Sequence, residues 1–320
     1  MTAKGPAFKD PVFEDPDFTP AGNSPDARRV SLAHARVAII GLGLMGASLA
    51  MDIRGRCAEI HGVSRSPATL DFALNHGIVD RIVDFKTACE ADLVILGAPV
   101  RTIIQQLEQI SNQPTPGGAT TANIPSRSVI MDLGSTKTDI VRAMQNLPPR
   151  FDPIGGHPMC GKEVAGIRHA EAGLYRDKIF ILTPLERTTA AGMALAQELV
   201  DTLGARPLVL APERQDALVA AISHLPYLAA VSLVRTALAR NDDQIWTVAA
   251  SGFRDTTRVA GGDVTMFLDI LLTNRTAILA ALRAYLGELE TLTTLLEGGD
   301  ESNLRAWLEP AQAQRMKMFK

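Results

Sequence analysis

The stretch Arg36-Val37-Ala38-Ile39-Ile40-Gly41-Leu42-Gly43-Leu44-Met45-Gly46 decides the fold. A short apolar run stops on glycine, and the residues from Gly43 to Arg54 have helical composition. That pattern reads as a buried strand turning directly into a helix. Gly41 permits the tight turn, Gly43 lets a pyrophosphate approach the backbone, and Gly46 lets the helix pack on its strand. The helix N-terminus adds free N–H groups and a positive dipole end. A tight strand–helix turn without a ligand has the same local sequence, so the surroundings must decide.

Outward from this loop, strands alternate with helices. Apolar runs occur at Ile60–Ser64, Ala91–Pro99, Ser128–Gly134, Ile179–Leu182 and Arg206–Leu210. Helix-like stretches lie at Pro67–Asn75, Arg101–Ile110 and Gly192–Leu203. The alternation predicts an α/β protein, with an N-terminal Rossmann-like, doubly wound parallel sheet over residues 36–211. In that setting the glycine loop is read as a dinucleotide site.

After Pro212 strands disappear, and residues 212–320 are expected to form an all-α C-terminal dimerisation domain. Asp216–Arg240 and Asp263–Glu297 are long helical patterns, the first interrupted by Pro226. Within the second, Ile278, Leu282, Tyr285, Leu289, Leu292 and Leu296 step by fours and threes. Such a stripe suits a helix–helix seam, read here as a homodimer interface in preference to an internal core face. Residues 1–35 carry Pro6, Pro11, Pro16, Pro20 and Pro25 and are expected to be a disordered tail, with weak docking potential in Phe8, Val12, Phe13 and Phe18.

The bulk numbers exclude several classes. With 320 residues, 46% of them hydrophobic, the chain can bury two domain cores. A net charge of -3 gives no basic surface for nucleic acid. No apolar run reaches the ~18 residues a membrane span needs, and the start lacks a signal peptide's apolar segment. Cys57, Cys89 and Cys160 are few and far apart, which fits a reducing cytoplasm. No metal-ligand spacing is apparent.

The edge of the second strand selects the dinucleotide. An NAD site usually has Asp or Glu there, on the ribose 2′-hydroxyl. Here the sequence is Gly62-Val63-Ser64-Arg65-Ser66. Arg65 offers a charged fork and the serines offer hydroxyls, as a 2′-phosphate requires. NADP is therefore expected, held by Gly41, Gly43, Leu44, Met45, Gly46, Ser64, Arg65 and Ser66, with the small turn Gly97-Ala98-Pro99 crossing the sheet edge. Arg65 as a solvated surface arginine is the bland alternative.

Four segments carry candidate chemistry. Asp132-Leu133-Gly134-Ser135-Thr136-Lys137 follows a strand; Ser135 suits a hydrogen-bond relay or a helix cap, and Lys137 an electrostatic anchor. Gly155-Gly156-His157-Pro158-Met159-Cys160-Gly161 presents a histidine between glycines, its ring expected to be accessible at a strand edge and suited to a general base. A Cys160–His157 nucleophilic pair is the weaker reading, because spacing through a proline does not ensure contact. In Ile222-Ser223-His224-Leu225-Pro226, the proline can kink a helix beside His224. Gly252-Phe253-Arg254-Asp255-Thr256-Thr257-Arg258, before Gly261-Gly262, reads as a break between helices where arginine can clamp a carboxylate.

Taken together and in this order, these segments resemble the prephenate/arogenate dehydrogenase family, most of all its cyanobacterial-type, NADP-using arogenate dehydrogenases. The resemblance spans roughly Arg36 to Leu296. It implies oxidative decarboxylation of a cyclohexadienyl acid in tyrosine biosynthesis, by a cytoplasmic homodimer. It implies that His157 is the catalytic base, that Ser135 orients it and contacts the nicotinamide, that Arg258 holds the ring carboxylate, and that His224 lies in the same pocket. Lys162-Glu163 and Phe267 depart from the cyanobacterial and prephenate patterns respectively, which leaves arogenate against prephenate open. Asp216 is the expected partner for arogenate's amino group, so L-arogenate to L-tyrosine is the favoured reaction and prephenate the alternative. A fused mutase domain of about ninety helical residues is not expected before the glycine loop.

Two rivals stand against this. Hydroxyacid dehydrogenases of related architecture usually need a lysine on the second domain, and residues 213–296 contain none. A non-catalytic NADP sensor would need only the cofactor loop, without an organised His157–Ser135–Arg258 set.

Overall fold

The computed structural model describes residues 30–112, 127–162 and 164–318. An eight-stranded sheet is built from β1 (Arg36–Ile40), β2 (Glu59–Val63), β3 (Arg81–Ile82), β4 (Leu93–Leu96), β5 (Ser128–Asp132), β6 (Phe151–Pro158), β7 (Ile179–Pro184) and β8 (Arg206–Val209). The spatial order is β3-β2-β1-β4-β5-β6-β7-β8. Every pairing is parallel except β6 with β7. The chain crosses over between β1 and β4, the switch point where such sheets place ligands.

Both faces of the sheet are covered. On β1, Val37 and Ile39 join one apolar cluster while Ala38 and Ile40 join the other. The first cluster takes Leu49 and Ile53 from α1 (Leu44–Ile53). The second takes Ile103 and Leu107 from α4 (Val100–Ser111) and Ile140 from α5 (Thr138–Gln145). Burial on both faces explains why these strands read as unbroken apolar runs. Between them lie α2 (Pro67–Asn75) and α3 (Phe85–Ala88), and α6 (Ala190–Thr202) precedes β8.

Two features depart from the sequence reading of this half. Residues 30–35 belong to the folded part: Leu32–His34 form a 3-10 turn, and Leu32 and Ala35 are buried in the core. The rest of the expected tail lies outside the described residues. The segment around His157, read as a histidine between glycines with its ring accessible at a strand edge, lies within strand β6, which is buried along its whole length. Pairing with β5 and β7 overrides the weak strand propensity of glycine and proline. Glycine is required there, because a Cβ on Gly156 would stand 2.5 Å from the Asp132 carbonyl oxygen.

From Pro212 onward the described chain is helical. Asp216–Arg240 is not one kinked helix. It divides into α7 (Pro212–Val219), a π segment at Ala220–His224 and α8 (Leu225–Leu238). Pro226, which cannot donate to the preceding turn, sits at the start of α8, and the wider π turn absorbs the change. Pro212–Leu238 is also long and apolar enough to cross a membrane by length and composition, with a mean hydropathy of 1.9, which the sequence reading did not recognise. Beyond lie α9 (Gln244–Val248), α10 (Ser251–Thr257), a 3-10 turn at Arg258–Gly261 and α11 (Val264–Thr273). The glycine-bounded break around Arg254 is thus mostly helix α10. The long pattern Asp263–Glu297 also splits: α11 and α12 (Arg275–Gly298) meet at Asn274 with a 93° bend. A last helix, α13 (Glu301–Met318), was not foreseen.

The apolar stripe on α12 is fully buried only at its start. Ile278 is buried, whereas Leu289 and Leu296 are 40% and 61% exposed. Exposed large apolar residues concentrate in this half of the molecule, among them Ile222, Val248, Val264, Leu272 and Leu308.

Candidate active site

The carboxyl ends of four parallel strands assemble the cofactor edge. Gly41 follows β1 with φ +110°, and a Cβ there would stand 2.7 Å from the Gly97 carbonyl carbon beyond β4. Two loops therefore cross in a space no side chain can share. Gly43 precedes α1 without capping it through a side chain, and a Cβ at Gly43 would meet nothing within 4 Å. The first N–H groups of α1, at Leu44, Met45 and Gly46, thus face an open approach, as a pyrophosphate needs. These features fit a dinucleotide.

At the end of β2, Arg65 is exposed. The serines beside it are partly engaged: Ser66 N–H donates to Ser64 Oγ (3.2 Å), and Ser66 Oγ caps α2 by accepting from Thr69 N–H (3.3 Å). Both hydroxyls keep a proton to donate. Ala98 is half-buried, and exposed Pro99 precedes α4.

The catalytic candidates gather where the helical domain meets the edge formed by β5 and β6. His157 lies near the end of β6 and is buried at 9% exposure, not accessible as its glycines suggested. Burial first, then the nearby Lys137 charge, lowers its pKa to about 3; His224 adds to the lowering and Gln215 opposes it. Its Nδ1 is buried without a hydrogen-bond partner. At neutral pH the ring is therefore neutral and able to accept a proton.

Lys137 is wholly buried and ion-paired with Asp132, which also accepts from Gly134 N–H (2.7 Å) and Gly156 N–H (3.0 Å). Burial raises the Asp132 pKa and lowers that of Lys137, and their mutual attraction counters both. The anchor role expected of Lys137 is thus directed inward, to Asp132 at the end of β5, the neighbour of the strand that carries His157.

Ser135 is half-buried; its carbonyl accepts from Gln215 Nε2 (3.4 Å). Ser135 Oγ makes no hydrogen bond to His157, and Ser135 does not cap α5. That cap comes from the other domain. Asp216 accepts from Lys137 N–H (2.7 Å) and Thr138 N–H (2.9 Å), so both carboxylate oxygens are spent on the start of α5. This corrects the expectation that Asp216 binds an amino group: it is 3% exposed and welds the two domains together. Two more residue pairs bridge the same boundary: Arg101 with Asp269 (2.6 Å) and Thr136 with Thr273 (2.8 Å).

His224 closes the π segment and is buried, which lowers its pKa to about 4. Its Nδ1 meets Asn274 Nδ2 (3.2 Å), and the same amide donates to the Asp216 carbonyl (2.8 Å). Arg254 is exposed and pairs with Asp255 (3.1 Å). Arg258 opens the 3-10 turn packed against α8. Phe267 stacks on Tyr227 with centroids 3.4 Å apart. Glu163 lies outside the described residues. Burial raises the Cys160 thiol to about 11, which removes the nucleophilic-pair reading.

Gln215 and Asn274 were not anticipated. Asn274 left one trace, as the lone side-chain amide in the long helical pattern Asp263–Glu297. Gln215 left none, since a glutamine beside an acid is unremarkable in sequence.

A doubly wound sheet, an uncapped glycine turn and a buried neutral histidine under a helical cover define a nicotinamide-dependent dehydrogenase class. The comparisons specify the family. Residues 49–209 match the family model "Prephenate dehydrogenase, nucleotide-binding domain", and residues 211–310 match "Prephenate dehydrogenase, dimerization domain". Prephenate dehydrogenase of Bacillus subtilis is 31% identical over 288 residues, 87% of this chain and 75% of that protein. Prephenate dehydrogenase from A. aeolicus, solved with hydroxyphenyl propionate and NAD+, superimposes with a TM-score of 0.81 at 28% identity, covering 90% of this chain and 100% of that one. Synechocystis arogenate dehydrogenase gives a TM-score of 0.75 at 30% identity, covering 88% and 99%. The chain belongs to the prephenate dehydrogenase family.

Proposed function

We propose that the protein is an NADP-dependent dehydrogenase that oxidatively decarboxylates a cyclohexadienyl acid, accepting both L-arogenate, which gives L-tyrosine, and prephenate, which gives 4-hydroxyphenylpyruvate. The observation that carries the reading is His157, buried and neutral at the cofactor edge of the sheet. The bound nicotinamide would supply the hydride acceptor. His157 takes the proton of the ring hydroxyl as the carbon that bears it is oxidised, and loss of carbon dioxide then makes the ring aromatic. Arg258 holds the ring carboxylate until it leaves. Ser135 contacts the nicotinamide, and His224 lines the pocket. Burial positions the two histidines and keeps water from them, while half-buried Ser135 and exposed Arg258 stand on the open side of the site.

The dual substrate follows from how the carboxylates are used. Among the described residues around the site, Asp132 is bound to Lys137, Asp216 to the α5 cap and Asp269 to Arg101. None of these three remains to demand an ammonium group. Side-by-side kinetics should give kcat/KM values for the two acids within about tenfold, a difference of about 1.4 kcal/mol. A preference for arogenate beyond about a hundredfold would restore a dedicated acid and reject the dual reading.

NADP is favoured by exposed Arg65 at an edge with no acid after β2. A homodimer through the helical half is favoured by the matched dimerization domain and the uncovered stripe on α12. The exposed apolar face of Pro212–Leu238, 28% buried in its most apolar window, is read the same way. The three free cysteines suit a reducing cytoplasm.

A further inference from the structure

We infer that two buried amides, Gln215 and Asn274, hold the two site histidines in opposite tautomers, His157 with its proton on Nδ1 and His224 with its proton on Nε2. Gln215 Nε2 points at two acceptors, the Ser135 carbonyl (3.4 Å) and Asp216 Oδ1 (3.1 Å), which fixes the orientation of the amide. Its Oε1 is therefore the opposite end, buried without a partner. His157 Nδ1 is likewise buried without a partner, and the Gln215 side chain lies close enough to that ring to raise its pKa. An acceptor oxygen and a ring nitrogen, both sealed from water, satisfy each other only when Nδ1 carries hydrogen. The lone pair is then on Nε2.

The second histidine reverses this. Asn274 Nδ2 has two hydrogens, one given to the Asp216 carbonyl (2.8 Å) and one to His224 Nδ1 (3.2 Å). That nitrogen must accept, so the His224 proton is on Nε2. Among the described residues nothing accepts from it. Asp216 ties the two arrangements together, holding Gln215 through its carboxylate and Asn274 through its carbonyl. Of the two histidines, His157 is thus the proton acceptor and His224 a hydrogen-bond donor, which suits a carbonyl or carboxylate oxygen of the substrate. Gln215 and Asn274 are positioning residues. The roles given to the histidines rest on the proposed reaction, whereas the tautomers do not.

Long-range proton–nitrogen NMR of the full chain with ¹⁵N-labelled histidine reads the tautomers directly, with His157→Gln and His224→Gln assigning the signals. The expected result at neutral pH is His157 protonated on Nδ1 and His224 on Nε2. The same tautomer at both sites, or a charged ring at either, overturns the inference. Kinetics supply the second reading. Gln215→Leu should lower kcat at least about tenfold with KM little changed, and Gln215→Glu, which keeps an acceptor, should recover part of it. Asn274→Leu should raise KM and leave kcat nearly intact. Unchanged kcat in Gln215→Leu would also overturn the inference. Expected tautomers in a protein that turns over neither acid would uphold it and reject the proposed reaction instead.

Discussion

His157 reaches neutral pH already deprotonated, because burial and then the Lys137 charge hold its pKa near 3. A lowered pKa keeps the base form present until the pH falls through that lowered value. The acid limb of the kcat/KM profile for the free enzyme should therefore lie well below 6.5, the usual histidine value. A limb at 6.5 or above would mean that the ring is solvated. His157→Asn should lower kcat by about 10²- to 10⁴-fold while cofactor binding persists, measured by turnover and by fluorescence titration with NADPH. At the other end of the cofactor, Arg65→Ala should reduce kcat/KM with NADP by about 10- to 100-fold, the worth of one charged hydrogen bond. It should leave kcat/KM with NAD nearly unchanged. Equal losses with both cofactors would assign Arg65 to the surface.

At the scale of elements, β5, β6 and α5 are locked by the buried Lys137–Asp132 pair and by Asp216 reaching over from α7. Lys137→Met leaves a buried carboxylate uncompensated and should cost about 3–5 kcal/mol in denaturant melts. The Asp132→Asn, Lys137→Met double variant should be less destabilised than the sum of its single changes, and simple additivity would show that the pair is not coupled. These elements also mark what sequence could reveal. The glycine turn and the apolar strands were legible because their residue types are imposed by local sterics and by burial on both faces. Strand β6 was not, since Gly155, Gly156 and two prolines hide a strand whose existence depends on neighbours distant in sequence. Asp216 was noticed for its charge but given the wrong partner, because its partners are backbone N–H groups seventy-eight and seventy-nine residues away. His157, His224 and Arg258 stood out through the motifs around them. The amides that address the histidines did not.

At the scale of the molecule, the described chain pairs a sheet closed on both faces with a helical half left open. The exposure of Leu289 and Leu296 on α12 predicts a second copy there. Leu289→Asp combined with Leu296→Asp should halve the mass seen by analytical ultracentrifugation, and an unchanged mass would move the interface elsewhere. The central claim is chemical, and one measurement tests it most directly. Purified protein is supplied with NADP and either arogenate or prephenate, and reduced cofactor and released carbon dioxide are followed together. The account predicts both products in equal amounts from either acid. Binding of NADP without reduction of it by either acid would contradict the account and leave a cofactor sensor in its place.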